Sequence, residues 1–233
     1  MPDDRIGVVL SAIASVDGAP TIIDRVCAAA VTLLSLSGAG ISLMADDELR
    51  GSAGVSESGV EAVQELQLSL GEGPGADAWD ENQPVLEPDL ADAGLVRWPV
   101  FARAAVAAGV RAVFAFPLHL GAIRIGVLVL YRDHPTGLGP EELARGLVLA
   151  DVASQAVLAL QAGAPPDEVH ELLAGEPAHW AEIHQATGMI SAQLGVSIDE
   201  AFVRLRARAF GDGRPLRQVA GDVVARRLRL DGA

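Results

Sequence analysis

Two runs of strand-forming residues, Ala112–Leu120 and Ile123–Arg132, stand only two residues apart. A connection as short as Gly121-Ala122 joins antiparallel neighbours in a hairpin. In the first run Phe114, Phe116, Leu118 and Leu120 recur at every second position and share one face. Any fold for this chain is therefore built around an antiparallel sheet with at least one apolar face. That requirement excludes an all-helical protein and makes the remaining strands a search for hairpin partners.

Two shorter strands are expected near Gly40–Ala45 and Leu49–Gly54, turned by Asp46-Asp47-Glu48, and a third at Pro84–Glu87. Helical periodicity occupies the gaps. Ile6, Val9, Leu10, Ile13 and Val16 mark a first helix, and Thr21–Leu36 a second that ends at Gly38 and Gly40. Further helices are predicted at Ser58–Leu68, Ala76–Glu81 and Arg97–Ala108. Gly71-Glu72-Gly73-Pro74-Gly75 interrupts regular structure; it lacks the Lys-Ser/Thr of a phosphate loop and reads as a turn. Gly139-Pro140-Glu141-Glu142 opens a long helix, with proline in the first turn and acids at the positive end of the dipole. Leu143, Leu147, Ala150 and Val157 form one apolar stripe of that helix, and Leu149, Val152, Ala153 and Ala156 another. A helix apolar on two sides is buried on two sides: one packs on the sheet, and the other needs the N-terminal helices, a second subunit or both, from which a homodimer with a helical interface is predicted. Arg145, Asp151 and Gln155 interrupt the stretch Leu143–Ala162, so no membrane span is expected.

Beyond Gly163-Ala164-Pro165-Pro166 the strand pattern disappears. A helical segment at Asp167–Ala174 leads to three helix patterns. The first, Ala178–Leu194, carries Ile183, Ala186, Ile190 and Leu194 on one face. The second opens at Ser197, an N-cap with Glu200 three residues on, and turns Ala201, Phe202, Leu205 and Ala209 inward. The third, from Pro215, buries Leu216, Val219, Ala220, Val223 and Val224. The chain is thus read as α+β: residues 1–163 a sheet with flanking helices, 164–177 a connecting segment, 178–233 an all-α bundle.

Charge divides along the same boundary. The 233 residues carry a net charge of −14, and all 17 basic residues are arginine. Residues 1–163 hold 21 acids and 9 Arg, whereas 182–230 hold 5 acids and 8 Arg. The acidic body argues against nucleic acid as a partner of the whole surface, and the basic end admits one locally. The acidic N-terminus is no secretory leader, and the single cysteine, Cys27, excludes an intramolecular disulfide, so a cytoplasmic protein is expected. One cysteine also excludes multi-cysteine redox chemistry. No nucleophile–base pair stands out, and His170, His179 and His184 lack zinc spacing with any cysteine. No enzyme, no metal and no evident cofactor are expected.

The C-terminal residues resemble a family. Gln185-Ala186-Thr187-Gly188-Met189-Ile190, Leu194-Gly195-Val196-Ser197, Glu200-Ala201-Phe202, Leu205-Arg206 with Ala209, and Leu216-Arg217-Gln218-Val219-Ala220 are similar to an ANTAR domain. The resemblance implies a three-helix module of a bacterial antitermination regulator, dimeric, that binds paired RNA hairpins in nascent transcripts. Arg204, Arg208, Arg214 and Arg217 then become the phosphate- and base-contacting candidates, together with Thr187 and Gly188. Many members carry a basic residue where this chain has Thr187, which implies weaker RNA binding here.

Residues 20–160 resemble a GAF domain through Leu70-Gly71-Glu72-Gly73-Pro74, Arg97-Trp98-Pro99-Val100-Phe101, Pro117-Leu118, Gly126 and Leu130-Tyr131. That resemblance implies a sensor with an unidentified small-molecule ligand, for which Trp79, Trp98, Phe114 and Phe116 are the pocket candidates. The combined reading is a signal-responsive RNA-binding antitermination regulator. The alternative is a small-molecule sensor whose helical tail only dimerises or docks a protein partner.

Overall fold

The computed structural model describes residues 2–19, 21–45, 48–56, 63–64, 66–67, 70–121, 123–161, 178–212, 214 and 216–230. The chain divides into two compact units, residues 1–118 with 125–154, and residues 119–124 with 155–233.

The first unit is built on a five-stranded sheet: β1 (Gly38–Ala45), β2 (Glu48–Val55), β3 (Val85–Glu87), β4 (Ala112–Leu120) and β5 (Ile123–Arg132). Their order across the sheet is β2-β1-β5-β4-β3. The predicted hairpin supplies β4 and β5, with the expected bounds. β1 pairs antiparallel with both β2 and β5, and β3 with β4. The two longest strands thus lie inside the sheet and are buried along nearly their whole length.

Alternation along β4 and β5 creates two cores. On one face Val113, Ala115, Val127, Val129 and Tyr131 pack with Trp79, Trp98, Phe101 and Leu90. Those residues come from α3 (Pro74–Glu81), α4 (Pro99–Ala107) and a π-helical turn at Leu90–Gly94. Phe114, Phe116, Leu118, Leu128 and Leu130 are buried on the other face. There Gly146 of α5 (Pro140–Gln161) is essential: a Cβ at that position would lie 2.7 Å from the Phe116 ring. The glycine lets helix and ring approach closely.

Several boundaries differ from expectation for identifiable reasons. α1 is Pro2–Ala14 and α2 is Ile22–Leu34. Thr21 caps α2 reciprocally with Asp24, the hydroxyl accepting from Asp24 N at 3.1 Å and the carboxylate from Thr21 N at 3.2 Å. The helix ends at Ser35 in a left-handed conformation, not at Gly38 and Gly40, which belong to β1. Gly40 is a packing glycine, since a Cβ there would fall 2.3 Å from Gln64 Nε2. The predicted helix Arg97–Ala108 is split: Arg97 closes a short helical turn at Leu95–Arg97, Trp98 breaks it (φ −131°, ψ 74°), and the longer helix starts at Pro99, capped by Glu72. Its Oε1 accepts from both Val100 N and Phe101 N at 2.7 Å. The predicted helices Ser58–Leu68 and Asp167–Ala174 fall largely or wholly outside the described residues, as does the connecting segment 164–177.

One apolar stripe of α5 is fully buried and the other only in part, with Leu143 half-buried. Leu149, Ala150, Val152, Ala153, Ala156 and Val157 are all buried, and only Leu147 remains exposed. The second stripe, Leu149, Val152, Ala153 and Ala156, is thus covered within the chain. Pro140–Leu160 is long and apolar enough to cross a membrane by length and composition, but 56% of that window is buried inside the fold.

In the second unit α6 (Ala178–Leu194), α7 (Ile198–Asp212) and α8 (Leu216–Val224) pack against one another. Ala186 and Ile190, Ala201, Phe202, Leu205 and Ala209, and Val219, Ala220 and Val223 form the core. Ser197 Oγ accepts from Glu200 N at 3.1 Å and starts α7 as expected. Four of these core residues are alanines, whose small side chains permit close helix packing.

Candidate nucleic-acid interface

Arg204, Arg208, Arg214 and Arg227 lie outside the core of the three-helix unit and are held by acids of the same unit. Arg204 donates to Glu200 Oε1 from Nε (3.1 Å) and Nη2 (2.6 Å), one helical turn back on α7. Arg208 donates to Asp212 Oδ2 at 2.8 Å, one turn forward. Arg214 donates to Asp222 Oδ2 at 2.6 Å. The first two pairs follow from i,i+4 spacing, which sets such side chains side by side on a helix. These are solvent-accessible ion pairs, so they fix side-chain direction more than they stabilise the fold. For Arg217 only the backbone position, in the first turn of α8, is described.

Thr187 and Gly188 separate from the arginine set. Thr187 is 1% exposed, so its side chain belongs to the bundle interior and not to a phosphate-facing surface. The helical phase of α6 explains it: Thr187 sits one residue after Ala186 and three before Ile190, both fully buried. Gly188 is half-buried, and a Cβ there would meet nothing within 4 Å.

Asp222 was not singled out by sequence, yet it organises this end of the unit. Its carboxylate accepts from Arg214 and also from Arg227 Nε at 2.9 Å. The hydrogen bonds from Arg214, then from Arg227, hold this carboxyl below the usual aspartate range. Asp222 and Arg227 are five apart, a spacing that a straight helix does not bring together, so no helical pattern pointed to them. The Glu200–Arg204 pair, by contrast, carried a readable signal.

In the sheet unit the four pocket candidates divide between the two faces of the sheet. Trp79 and Trp98 lie in one core with Val113 and Ala115, while Phe114 and Phe116 alternate to the other. All four are buried, and they do not line one cavity together. Trp98 Nε1 donates to Asp77 Oδ2 at 3.0 Å, and Arg97, itself bonded to Asp77 and Glu81, covers the Trp98 ring at 4.9 Å. Phe114 lies beneath the buried Arg132 guanidinium, 5.6 Å away. That arginine donates to the carbonyls of Leu34 (3.0 Å) and Gly137 (2.9 Å) and pairs with Glu142.

A polar cluster that the sequence reading overlooked lies on the tryptophan side. Gln67 donates from Nε2 to Tyr131 Oη at 3.4 Å, and its Oε1 accepts from Gly75 N at 2.7 Å. Burial pushes the Tyr131 hydroxyl far above the ordinary tyrosine range and keeps it protonated. The Gly71–Gly75 turn is therefore anchored twice, to the sheet through Gln67 and to α4 through Glu72.

Residues 18–158 match the family model described as GAF domain, and residues 171–224 the model described as ANTAR domain. The chain belongs to the GAF family and carries an ANTAR domain behind it. The GAF fold is also that of solved structures. One is the GAF domain from an Acinetobacter phosphoenolpyruvate-protein phosphotransferase, 13% identical, covering 68% of this chain and 93% of that one at a TM-score of 0.52. Another is the GAF domain of the corresponding protein from Coxiella burnetii, 13% identical, covering 70% and 97% at a TM-score of 0.50. At such identities the likeness concerns the fold alone. No curated protein matches the chain. GAF and ANTAR are both regulatory domains, so the GAF–ANTAR pairing makes this chain a regulator of the ANTAR type, with the arginine-bearing helices in its output domain.

Proposed function

We propose that this GAF–ANTAR protein is a signal-responsive, RNA-binding regulator of transcription antitermination, without enzymatic activity of its own. The observation that carries the reading is the joining of a sensor-type domain and an ANTAR domain in one chain, the latter bearing arginines around a small-residue core. The GAF domain takes an unidentified small molecule, and the ANTAR domain binds paired hairpins of nascent RNA. Arg204, Arg208, Arg214 and Arg217 meet phosphates and unpaired bases, with Gly188 allowing close backbone approach. The sites of action are cytoplasmic. The protein works as a homodimer; exposed Ile6 and Val8 on α1 and Leu147 on α5 are apolar side chains suited to a second copy.

A gel shift with paired-hairpin RNA at two salt concentrations tests this. Binding that weakens steeply with salt is expected, and Arg204→Ala with Arg208→Ala should abolish most of it. Unchanged binding by that double variant would refute the assignment of the two arginines. The alternative, a tail that only dimerises or docks a protein, draws support from the carboxylates of Glu200, Asp212 and Asp222, which already neutralise three arginines. Absence of any RNA complex at low salt would favour it. Light scattering that finds a monomer at micromolar concentration would remove the dimer.

A further inference from the structure

Residues 225–230 lie beyond the ANTAR match, which ends at residue 224, yet they have a definite structure. α8 closes with Arg226 in a left-handed conformation, φ 58°. That turn brings Arg227 N and Leu228 N onto the Asp222 carbonyl at 2.7 and 3.1 Å. The far end is anchored too: Leu230 is 7% exposed, and Gln193 of α6 donates to its carbonyl. On a continuing helix, Arg227 would lie about 140° around the axis from Asp222. The reversal at Arg226 instead returns it to the Asp222 side chain.

One carboxylate consequently holds two guanidinium groups, one from each end of α8. Arg214 reaches Oδ2 through Nη2, and Arg227 reaches Oδ1 through Nε and Nη2, the latter at 2.8 Å. The side chains of Arg214 and Arg227 remain 38% and 68% exposed. Their other N–H donors have no partner among the described residues. Stability alone accounts poorly for this arrangement. Ion pairs so open to water contribute little, while a left-handed arginine costs conformational energy. What the arrangement does provide is direction: two forked cations fixed side by side, with one net positive charge left after Asp222. Guanidinium groups in such a fork match the tetrahedral oxygens of a phosphate.

We propose that Asp222 is a positioning residue that sets Arg214 and Arg227 as a paired clamp for one backbone phosphate, so that residues 225–230 belong to the RNA-binding surface. This rests on the RNA-binding reading above. The clamp makes an unusual demand on sign. Removing an acid from a surface that attracts RNA by net charge should tighten binding; removing one that aligns two arginines should loosen it.

The test is fluorescence anisotropy of the full chain with a labelled paired-hairpin RNA across a salt series. Asp222→Asn should weaken binding by ~10-fold and lower the salt slope by about 1, despite the gain in positive charge. Arg227→Gln should do the same, and the double variant should lose no more than Arg227→Gln alone. Binding by Asp222→Asn as tight as wild type, or tighter, would overturn the clamp while leaving RNA binding intact. Loss of affinity with an unchanged salt slope would overturn it as well, since that is the mark of general destabilisation. No complex with the wild-type chain would refute the RNA reading itself. If Asp222→Asn does not fold, by circular dichroism, Asp222→Glu keeps the charge but displaces the carboxylate: weaker binding with a lower salt slope supports the clamp, and unchanged binding overturns it.

Discussion

Gly146 and Gly7 offer a paired test of the packing argument, because both are helical glycines and only one touches a neighbour. A helix-interior glycine is about 1 kcal/mol less favourable than alanine. At Gly7 of α1 an added Cβ meets nothing within 4 Å, so Gly7→Ala should gain close to that full amount. At Gly146 the same Cβ would sit 2.7 Å from Phe116 Cζ and 3.2 Å from two more ring carbons. Phe116 is completely buried, so its ring has no solvent to move into. Overpacking of this kind costs roughly 1–3 kcal/mol, which exceeds the propensity gain. Gly146→Ala should therefore be destabilising by about 1 kcal/mol, lowering the melting temperature by roughly 2–4 °C for a unit of this size. Urea unfolding followed by tryptophan fluorescence measures both, since Trp79 and Trp98 are buried in this unit. Adding Phe116→Leu to Gly146→Ala should recover part of the helix gain. If both alanine variants are stabilising, the close approach of α5 to the sheet is wrong and propensity alone governs the site.

Four further outcomes are expected. Thr187→Arg should destabilise the ANTAR domain by roughly 3 kcal/mol or more, as a cation placed in the bundle interior lacks a partner; raised RNA affinity with unchanged thermal stability would contradict the burial of Thr187. Arg132→Met should cost about 3 kcal/mol by leaving Glu142 and the Leu34 and Gly137 carbonyls without their donor, read as a shift in the urea midpoint. Burial, and after it the Asp24 charge, push the Cys27 thiol up to about 12. A thiol reagent at pH 8 should accordingly label Cys27 only after unfolding, and rapid labelling of the native protein would disprove its burial. The depressed Asp222 carboxyl contributes stability above its unfolded value near 3.8 that is lost as pH falls through the folded value. The acid limb of ANTAR-domain unfolding should therefore flatten in Asp222→Asn.

Much of the GAF domain was legible because its signals are local. The two-residue connection at Gly121-Ala122 dictates a hairpin whatever surrounds it. Pro140 with Glu141 and Glu142 starts a helix by backbone and dipole effects within one turn. The ANTAR helices were readable for the same reason, since Ser197 with Glu200 and the spacing of Val219, Ala220 and Val223 depend on neighbours three or four residues away. Where local rules failed, a distant group had intervened. Gly40 looks like a helix stop in sequence, but Gln64 makes it a packing position. Arg97–Ala108 looks like one helix, but the chain breaks at Trp98 and Glu72 caps a new start at Pro99.

The site residues divide on the same principle. Sequence alone determined that the candidate arginines lie on the basic, helical end of an acidic chain. Only tertiary structure decided which way Thr187 points, that Trp79 and Phe114 lie on opposite faces of the sheet, and that Asp222 gathers Arg214 and Arg227. Periodicity gives the spacing of side chains around one element, but not its rotation against the others. The Asp222 cluster further depends on a single left-handed residue, Arg226, whose conformation no pattern of apolar residues encodes.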